Sequence, residues 1–261
     1  MFFLSGSIYA QKNATEWNNI GLSNYNNDKF EEAITAFSTA IALDNNQTSF
    51  YLNRGNAYLK LQKYTESISD YSTAISLSPL SVNAYFNRGG AYMKSQNYKE
   101  ALINYSKVIE LEPTDKVAFL HRGLAQSKLS HNKKALKDYT AALSLDRYYM
   151  EAYLQRGILL LEMNDIEGAF RNLKIVIKYE PKNPNAYYYH ALCNLYEGLY
   201  SAAKKDLNKV IEIDPQNKNA YFKRGVAYYD SGSKKKACAD WNTALQLGHK
   251  SAAPTIDKYC H

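Results

Sequence analysis

The stretch that decides the fold, residues 85–113, reads YFNRGGAYMKSQNYKEALINYSKVIELEP. Its first half places aromatic, glycine and small apolar residues three and four positions apart, which is the spacing of one helical face. Its second half repeats this spacing around Ala101 and Tyr105, and Pro113 then ends the pattern because proline cannot continue a helix. The stretch therefore predicts two consecutive helices that pack against each other.

The same pattern recurs every 34 residues. With Ala14 as position 1, seven copies follow one another over residues 14–47, 48–81, 82–115, 116–149, 150–183, 184–217 and 218–251. Position 4 is aromatic in all copies, position 8 is glycine in six, position 20 is alanine in six, and position 24 is aromatic in five. Small residues at positions 8 and 20 let the two helices approach, and the large residues fill the space around that contact. Position 34 is a predicted helix N-cap at Ser81, Asp115, Asn183, Asn217 and Ser251.

These residues resemble the tetratricopeptide repeat family, which has an aromatic residue at position 4, glycine at 8, alanine at 20, an aromatic residue at 24 and proline at 32. The resemblance covers 238 of 261 residues, with departures at Arg147 in place of the proline and Ala191 in place of the glycine. It implies an all-α, right-handed superhelical solenoid of antiparallel helix pairs, in which the first helix of each pair lines a concave groove. It also implies scaffolding, chaperoning or peptide capture.

Both ends of the chain carry expectations of their own. Residues 1–10 are uncharged and mostly apolar and end in a small residue, which resembles the end of a secretory signal peptide. We therefore expect export to the periplasm or the extracellular space, or a cytoplasmic location if this segment is not a signal remnant. Residues 252–261 are expected to form a helix that caps the last repeat through Ile256 and Tyr259.

The composition argues against several classes of function. The net charge is +7, but five of the seven arginines share position 7 of the repeat and the lysines are scattered, so nucleic acid is not an expected partner. No apolar run approaches the roughly 20 residues that span a bilayer. No histidine lies four residues from another histidine or from a cysteine, and no phosphate loop or nucleophile motif occurs. We expect no metal, no cofactor and no catalytic residue.

Two sets of residues are predicted to stabilise the repeats. Where position 7 is arginine, position 23 is aspartate or asparagine, and in the first repeat both positions are apolar. We therefore predict polar contacts between the two helices of a repeat. They are predicted in repeats two, three, four, five and seven, and include Arg54 with Asp70, Arg122 with Asp138 and Arg224 with Asp240. The sixth repeat has His190 and Asp206 at the two positions. If the protein is exported, Cys238 and Cys260 are predicted to form a disulfide. Two reduced, packed thiols are the alternative.

The ligand is predicted to lie in the groove of repeats two to four. Positions 2, 5, 6, 9, 12 and 13 of the first helix face the groove. At positions 5 and 6 these repeats have Leu52, Phe86 and Leu120 beside Asn53, Asn87 and His121. Asparagine offers both a donor and an acceptor, so stacked asparagines can hold the backbone of an extended peptide. Because these side chains are expected to face the open groove, their removal should leave the fold intact.

Two peptide-binding arrangements known in this family can be compared with the groove. The row resembles the asparagine ladder in the repeat domain of the glycosyltransferase that adds N-acetylglucosamine to intracellular proteins, and it matches at Asn19, Asn53 and Asn87. The clamp that grips acidic tails of heat-shock chaperones is not matched, since Asn83 and Asn87 stand where it requires basic residues.

The sequence therefore predicts a non-enzymatic protein-interaction scaffold that binds an extended polypeptide or a partner domain in its groove. One alternative is a structural subunit of an envelope or secretion assembly that binds through its edges or convex face. A second alternative is an enzyme or carbohydrate-binding protein that uses the tyrosine-rich groove. No feature indicates a particular oligomeric state.

Overall fold

The computed structural model describes residues 12–260, and these residues form fifteen α-helices and no strands. The helices are α1 (Ala14–Asn26), α2 (Phe30–Leu43), α3 (Thr48–Lys60), α4 (Tyr64–Leu77), α5 (Val82–Lys94), α6 (Tyr98–Leu111), α7 (Lys116–Lys128), α8 (Asn132–Leu145), α9 (Met150–Glu162), α10 (Ile166–Tyr179), α11 (Pro184–Tyr196), α12 (Tyr200–Ile213), α13 (Lys218–Asp230), α14 (Lys234–Gln246) and α15 (Ala252–Tyr259). The expected signal remnant, residues 1–10, lies outside the described residues.

The chain divides into two compact units, the first ending at His131 and the second beginning at Asn132. Unit 1 contains the hairpins α1–α2, α3–α4 and α5–α6, followed by α7. Unit 2 begins with α8, continues with the hairpins α9–α10, α11–α12 and α13–α14, and ends with α15. Within each unit every helix contacts the next one along the chain. The predicted all-α fold of consecutive helix pairs is therefore confirmed, and its helix starts recur every 34 residues.

A left-handed residue closes the turn after the first helix of each repeat. Position 15 has a positive φ at Asp28, Gln62, Gln96, Ser130, Asn164, Gly198 and Gly232. The next amide donates to the carbonyl oxygen five residues earlier, as Lys63 does to Tyr58 at 2.9 Å. This is the Schellman arrangement, which satisfies carbonyl groups that a helix end would otherwise leave unpaired. Only two of the seven positions are glycine, so glycine placement alone does not reveal the turn.

Side-chain caps begin several of the helices. Ser81, Asp115, Asn183 and Asn217 accept hydrogen bonds from backbone amides in the first turn of the helix that follows each of them, as predicted. The predicted cap at Ser251 is wrong. Its backbone is already helical, so its side chain accepts no amide from α15.

The two helices of a repeat approach most closely at position 8. A Cβ atom built on Gly89 would lie 2.9 Å from Cε1 of the buried Tyr105, and one built on Gly55 would lie 2.7 Å from the same atom of Tyr71. Side-chain carbons do not approach so closely, so an alanine here would force the second helix away. A Cβ atom on Gly90, the next residue of α5, would meet nothing closer than 3.9 Å.

Gly89→Ala is therefore expected to lower the free energy of unfolding by about 1–3 kcal/mol, the usual cost of overpacking a core. Gly90→Ala should raise it by about 0.5–1 kcal/mol, because alanine loses less backbone entropy than glycine in a helix. Both residues lie in the middle of α5, so the helix-propensity gain is shared and the difference isolates the clash. Urea denaturation of the two variants checks this, and equal stabilities would contradict the packing.

Candidate functional site

Arginine at position 7 ties the two helices of its own repeat together. Arg54 donates through Nε and Nη2 to the two carboxylate oxygens of Asp70, at 2.8 and 2.7 Å. Arg224 binds Asp240 in the same way at 2.7 Å. These hydrogen bonds raise the pKa of both arginines above its usual range. The predicted polar contact between the two helices is therefore present in these repeats, and its bidentate geometry is that of a strong, charge-assisted pair.

In two further repeats the residue that accepts from arginine is asparagine in place of aspartate. Arg88 donates through Nε to Asn104, and Arg156 to Asn172, both at 2.8 Å. In the sixth repeat, Nδ1 of His190 lies 2.8 Å from Asp206. Arg122 and Asp138 belong to different units, and their pairing stays a prediction.

The same guanidinium groups also reach the preceding repeat, which sequence analysis missed. Nη1 of Arg54 donates to Oγ of Ser38 at 3.0 Å and so joins α3 to α2. The equivalent acceptors, all at position 25 of the preceding repeat, are Ser72, Ser106, Thr140 and Asn208. A signal was present in the sequence, because Lys174, which cannot accept, holds this position before His190.

Four asparagines form a row across α1, α3 and α5, which are the first helices of the first three repeats. We name this row the amide face: Asn18, Asn53, Asn56 and Asn87. Nδ2 of Asn53 donates to Oδ1 of Asn18 at 2.9 Å and joins α3 to α1. Nδ2 of Asn87 donates to Oδ1 of Asn56 at 3.2 Å and joins α5 to α3. The predicted ligand residues Asn53 and Asn87 therefore share one row. They also bridge helices, which the sequence did not show, so their removal is expected to cost some stability, while survival of the fold stays a prediction.

Four atoms of the amide face make no hydrogen bond within residues 12–260. They are the acceptors Asn53 Oδ1 and Asn87 Oδ1 and the donors Asn18 Nδ2 and Asn56 Nδ2. The carbonyl oxygen of Asn56 accepts from Asn87 and from Tyr71 Oη. None of the four is fully buried. The row thus presents both an amide donor and amide acceptors to solvent, which is what the backbone of an extended peptide requires.

A cleft of 140 Å³ opens beside this row. Its lining residues are Leu22, Tyr25, Asn26, Phe37, Asn53 and Asn56. All except Phe37 occupy positions 6, 9, 12 or 13, which were predicted to face the groove. A cavity of about 150 Å³ in another protein holds a benzene molecule, so this cleft has room for one apolar side chain. The repeat positions predicted this face, but they did not distinguish Asn56 or the cleft.

The row does not continue to His121. In the structure the ring of His121 stacks on Tyr105 at 5.4 Å and meets Phe86 edge-on at 5.3 Å, so the row ends in an aromatic cluster. Leu120 is only 3 % exposed, and this corrects its predicted role as an apolar neighbour of the ligand, because it lies in the core. Leu52 and Phe86 are half-buried and border the face.

The end of unit 2 is closed by a covalent bond. The structure joins Cys238 and Cys260 in a disulfide, with their Cα atoms 5.8 Å apart, and so fixes α15 to α14. Tyr259 of α15 packs on Tyr229 at 4.8 Å and near Trp241 at 6.0 Å between ring centroids. These contacts place Tyr259 over the last hairpin, where the sequence predicted a covering side chain.

Within residues 12–260, no three histidine, cysteine, aspartate or glutamate side chains converge as metal ligands would. Among the helices of that range, none combines the length and the apolar character that crossing a membrane requires.

Models of one repeat family match most of the sequence. A model described as TPR repeat matches residues 21–62, 55–96 and 195–232. Two models described as tetratricopeptide repeat match residues 82–115 and 151–183. Together these matches cover well over half of the chain. No curated protein sequence matches this one.

Several solved structures are similar to this chain. A tetratricopeptide repeat protein from Parabacteroides merdae has a TM-score of 0.76 at 19% identity, over 95% of this chain and 99% of that one. The C-terminal part of a TPR repeat-containing protein from Cytophaga hutchinsonii has a TM-score of 0.70 at 19% identity, over 90% and 98% of the two chains. YrrB, described as a TPR protein with an unusual peptide-binding site, has a TM-score of 0.57 at 25% identity, over 71% and 95%.

Proposed function

Because this chain belongs to the tetratricopeptide repeat family, we propose that it is a protein-interaction scaffold whose amide face binds an extended polypeptide. Repeats of this family are in general non-catalytic modules of protein–protein interaction. The similarity to YrrB, whose site binds a peptide, supports the proposal. The observation that carries it is the row of unpaired, solvent-accessible amide atoms beside a side-chain-sized cleft in unit 1.

The proposed binding mode follows from the positions of these atoms. Asn53 and Asn56 lie three residues apart on α3 and therefore on one face of the helix. Asn53 Oδ1 would accept an N–H group of the peptide, and Asn56 Nδ2 would donate to a carbonyl group. Asn87 on α5 offers the next acceptor. Backbone recognition of this kind tolerates many sequences, whereas the cleft between α1 and α3 favours one apolar side chain.

The double substitution Asn53→Ala, Asn87→Ala is expected to weaken peptide binding about tenfold or more, since each lost hydrogen bond costs about 1 kcal/mol. The partner would first be identified by affinity capture from the extracytoplasmic fraction and mass spectrometry. A synthetic peptide that covers its bound segment would then be titrated by calorimetry against the wild type and the variant.

Two controls make this experiment decisive. Circular dichroism and thermal unfolding must show that the variant is folded, because both asparagines also bridge helices. The matched variant Asn45→Ala, Asn46→Ala removes two exposed side chains from the α2–α3 loop and should bind like the wild type. Unchanged affinity in a folded Asn53→Ala, Asn87→Ala variant would reject the amide face. It would favour a structural subunit that binds through its edges or convex face.

We also propose that the protein works outside the cytoplasm. The disulfide between Cys238 and Cys260 supports this location, because disulfides persist in oxidising compartments and are rare where thiols are kept reduced. The signal-like composition of residues 1–10 points the same way.

A further inference from the structure

Unit 2 carries nearly all of the excess positive charge. Residues 132–260 contain 20 lysines and arginines against 14 aspartates and glutamates, whereas residues 12–131 contain 12 against 11. A one-sided charge raises the rate at which an oppositely charged partner is encountered and favours such partners over others. If the lysines and arginines of unit 2 are exposed on one surface, the partner of that surface is therefore expected to be acidic.

Such a group of cations lies on the outer side of α10. The inner side of this helix buries Ala169, Leu173 and Val176 against the core. The outer side has a shallow cleft that is largely open to solvent, and we name its lining residues the basic face: Arg171, Lys174, Ile175, Ile177 and Lys178. All three basic side chains are exposed. Their methylene stems and the two isoleucines give the cleft an apolar wall, while the charged ends remain available to a ligand.

Two tyrosines extend this apolar surface. Tyr179 follows Ile175 by one helical turn and is 50 % exposed. Tyr148, from the loop between α8 and α9, is 55 % exposed and meets Tyr179 edge-on at 5.8 Å. Arg147 lies over the Tyr148 ring at 4.7 Å. An exposed apolar patch rimmed by charged groups is typical of an interaction surface.

The cations of the basic face are only partly neutralised within the described chain. Arg171 pairs with Glu167 one turn earlier on the same helix. Lys178 lies 5.2 Å from the centre of the Tyr179 ring, and neither Lys174 nor Lys178 forms an ion pair with another residue of 12–260. A carboxylate from a partner could therefore pair with either lysine without displacing a carboxylate of this chain.

We propose that the basic face is a second interaction surface, separate from the amide face, which binds an acidic segment of a partner protein that also carries apolar side chains. Carboxylates of that segment pair with Lys174 and Lys178, and an apolar side chain enters the cleft beside Ile175. A protein segment fits better than nucleic acid, because Glu167 and Glu180 near the two ends of α10 repel a continuous phosphate backbone.

The test uses the full chain and a fluorescein-labelled synthetic peptide in which glutamates alternate with leucines. Fluorescence anisotropy at low salt should show that Lys174→Gln, Lys178→Gln binds this peptide about tenfold more weakly than the wild type, the loss expected when two exposed ion pairs are removed. Replacing the leucines of the peptide by serine should weaken binding to the wild type by a similar factor. Glutamine keeps most of the apolar stem, so the variant tests the charge.

The matched control Lys133→Gln, Lys134→Gln removes the same charge from α8 in the same unit and should bind like the wild type. Equal weakening in this control would mean that only the overall charge matters, and the proposal would be wrong. Loss of binding to phosphatidylserine vesicles in the α10 variant, with peptide binding unchanged, would assign the face to a membrane and also overturn it. Asn53→Ala, Asn87→Ala should leave this peptide's affinity unchanged, so the two proposals can fail separately.

Discussion

Replacing Asp70 by alanine is expected to lower the free energy of unfolding by about 3 kcal/mol, the low end of the range for breaking a buried ion pair. The side chains of Arg54 and Asp70 are 20% and 6% exposed, so the variant would leave a mostly buried guanidinium without its main acceptor. Arginine does not lose its proton under these conditions. The remaining bond from Nη1 to Ser38 satisfies only part of the group.

The chain itself suggests the matched control, because two repeats already pair arginine with asparagine. Oδ1 of Asn172 accepts from Arg156, and Nδ2 donates to the carbonyl oxygen of Gly168 one turn earlier. Burial lowers the pKa of Arg156, since its neutral partner does not offset the desolvation. Asp70→Asn should therefore keep the acceptor and lose only about 1 kcal/mol. Both variants are measured by urea denaturation, because guanidinium chloride would screen the charges. If Asp70→Ala and Asp70→Asn lowered the free energy of unfolding equally, the hydrogen-bond acceptor at position 70 would not be what stabilises the repeat.

Reduction of the Cys238–Cys260 disulfide is expected to destabilise α15 by about 3 kcal/mol in the chain-entropy model, given its sequence separation of 22. In a repeat protein such a loss remains local, because each element contacts only its neighbours. Hydrogen exchange should show amide protection in α15 falling on the order of a hundredfold after reduction. Protection in α3 of unit 1 should not change, which provides the internal control.

The number of free thiols shows whether the disulfide is formed, because the third cysteine, Cys193, is not part of it. Cys193 is buried, and burial raises the pKa of its thiol to about 11, so it should not react in the native protein at neutral pH. In urea without reductant, one thiol should titrate. Three titratable thiols in protein isolated from its native compartment would refute the bond. Cys193→Ala should leave the response of α15 to reductant unchanged.

The helical architecture could be predicted because it depends on contacts that recur within the chain. The contact between positions 8 and 24 appears in repeat after repeat, as at Gly55 with Tyr71 and Gly89 with Tyr105. Changes at position 7 likewise accompany changes at position 23. The cap at Ser251 failed because the chain approaches α15 in a helical conformation, unlike the extended linkers between repeats.

The candidate site was only partly predictable because it depends on side-chain conformations. Asn53 and Asn56 are the same residue type on the same helix, yet one has an unpaired oxygen and the other an unpaired nitrogen. That difference arises from which neighbouring asparagine each one meets, which residue type and spacing do not specify. The burial of Leu120 was likewise not predicted, because its repeat position suggested an open face.

The sixth repeat has His190 at position 7, where five other repeats have arginine, and this difference affects how the repeats resist force. At five junctions between successive hairpins, arginine forms a directional hydrogen bond to the preceding repeat, and such bonds resist shear. Between α10 and α11 the polar bond is replaced by an edge-on ring contact of Phe170 with His190 at 4.7 Å. A ring contact of this kind contributes about 0.5–1.5 kcal/mol beyond the area it buries, whereas a hydrogen bond from a charged group contributes about 1.5–3 kcal/mol. When unit 2 is stretched, α10 and α11 should therefore move relative to each other before the other neighbouring helices of that unit do.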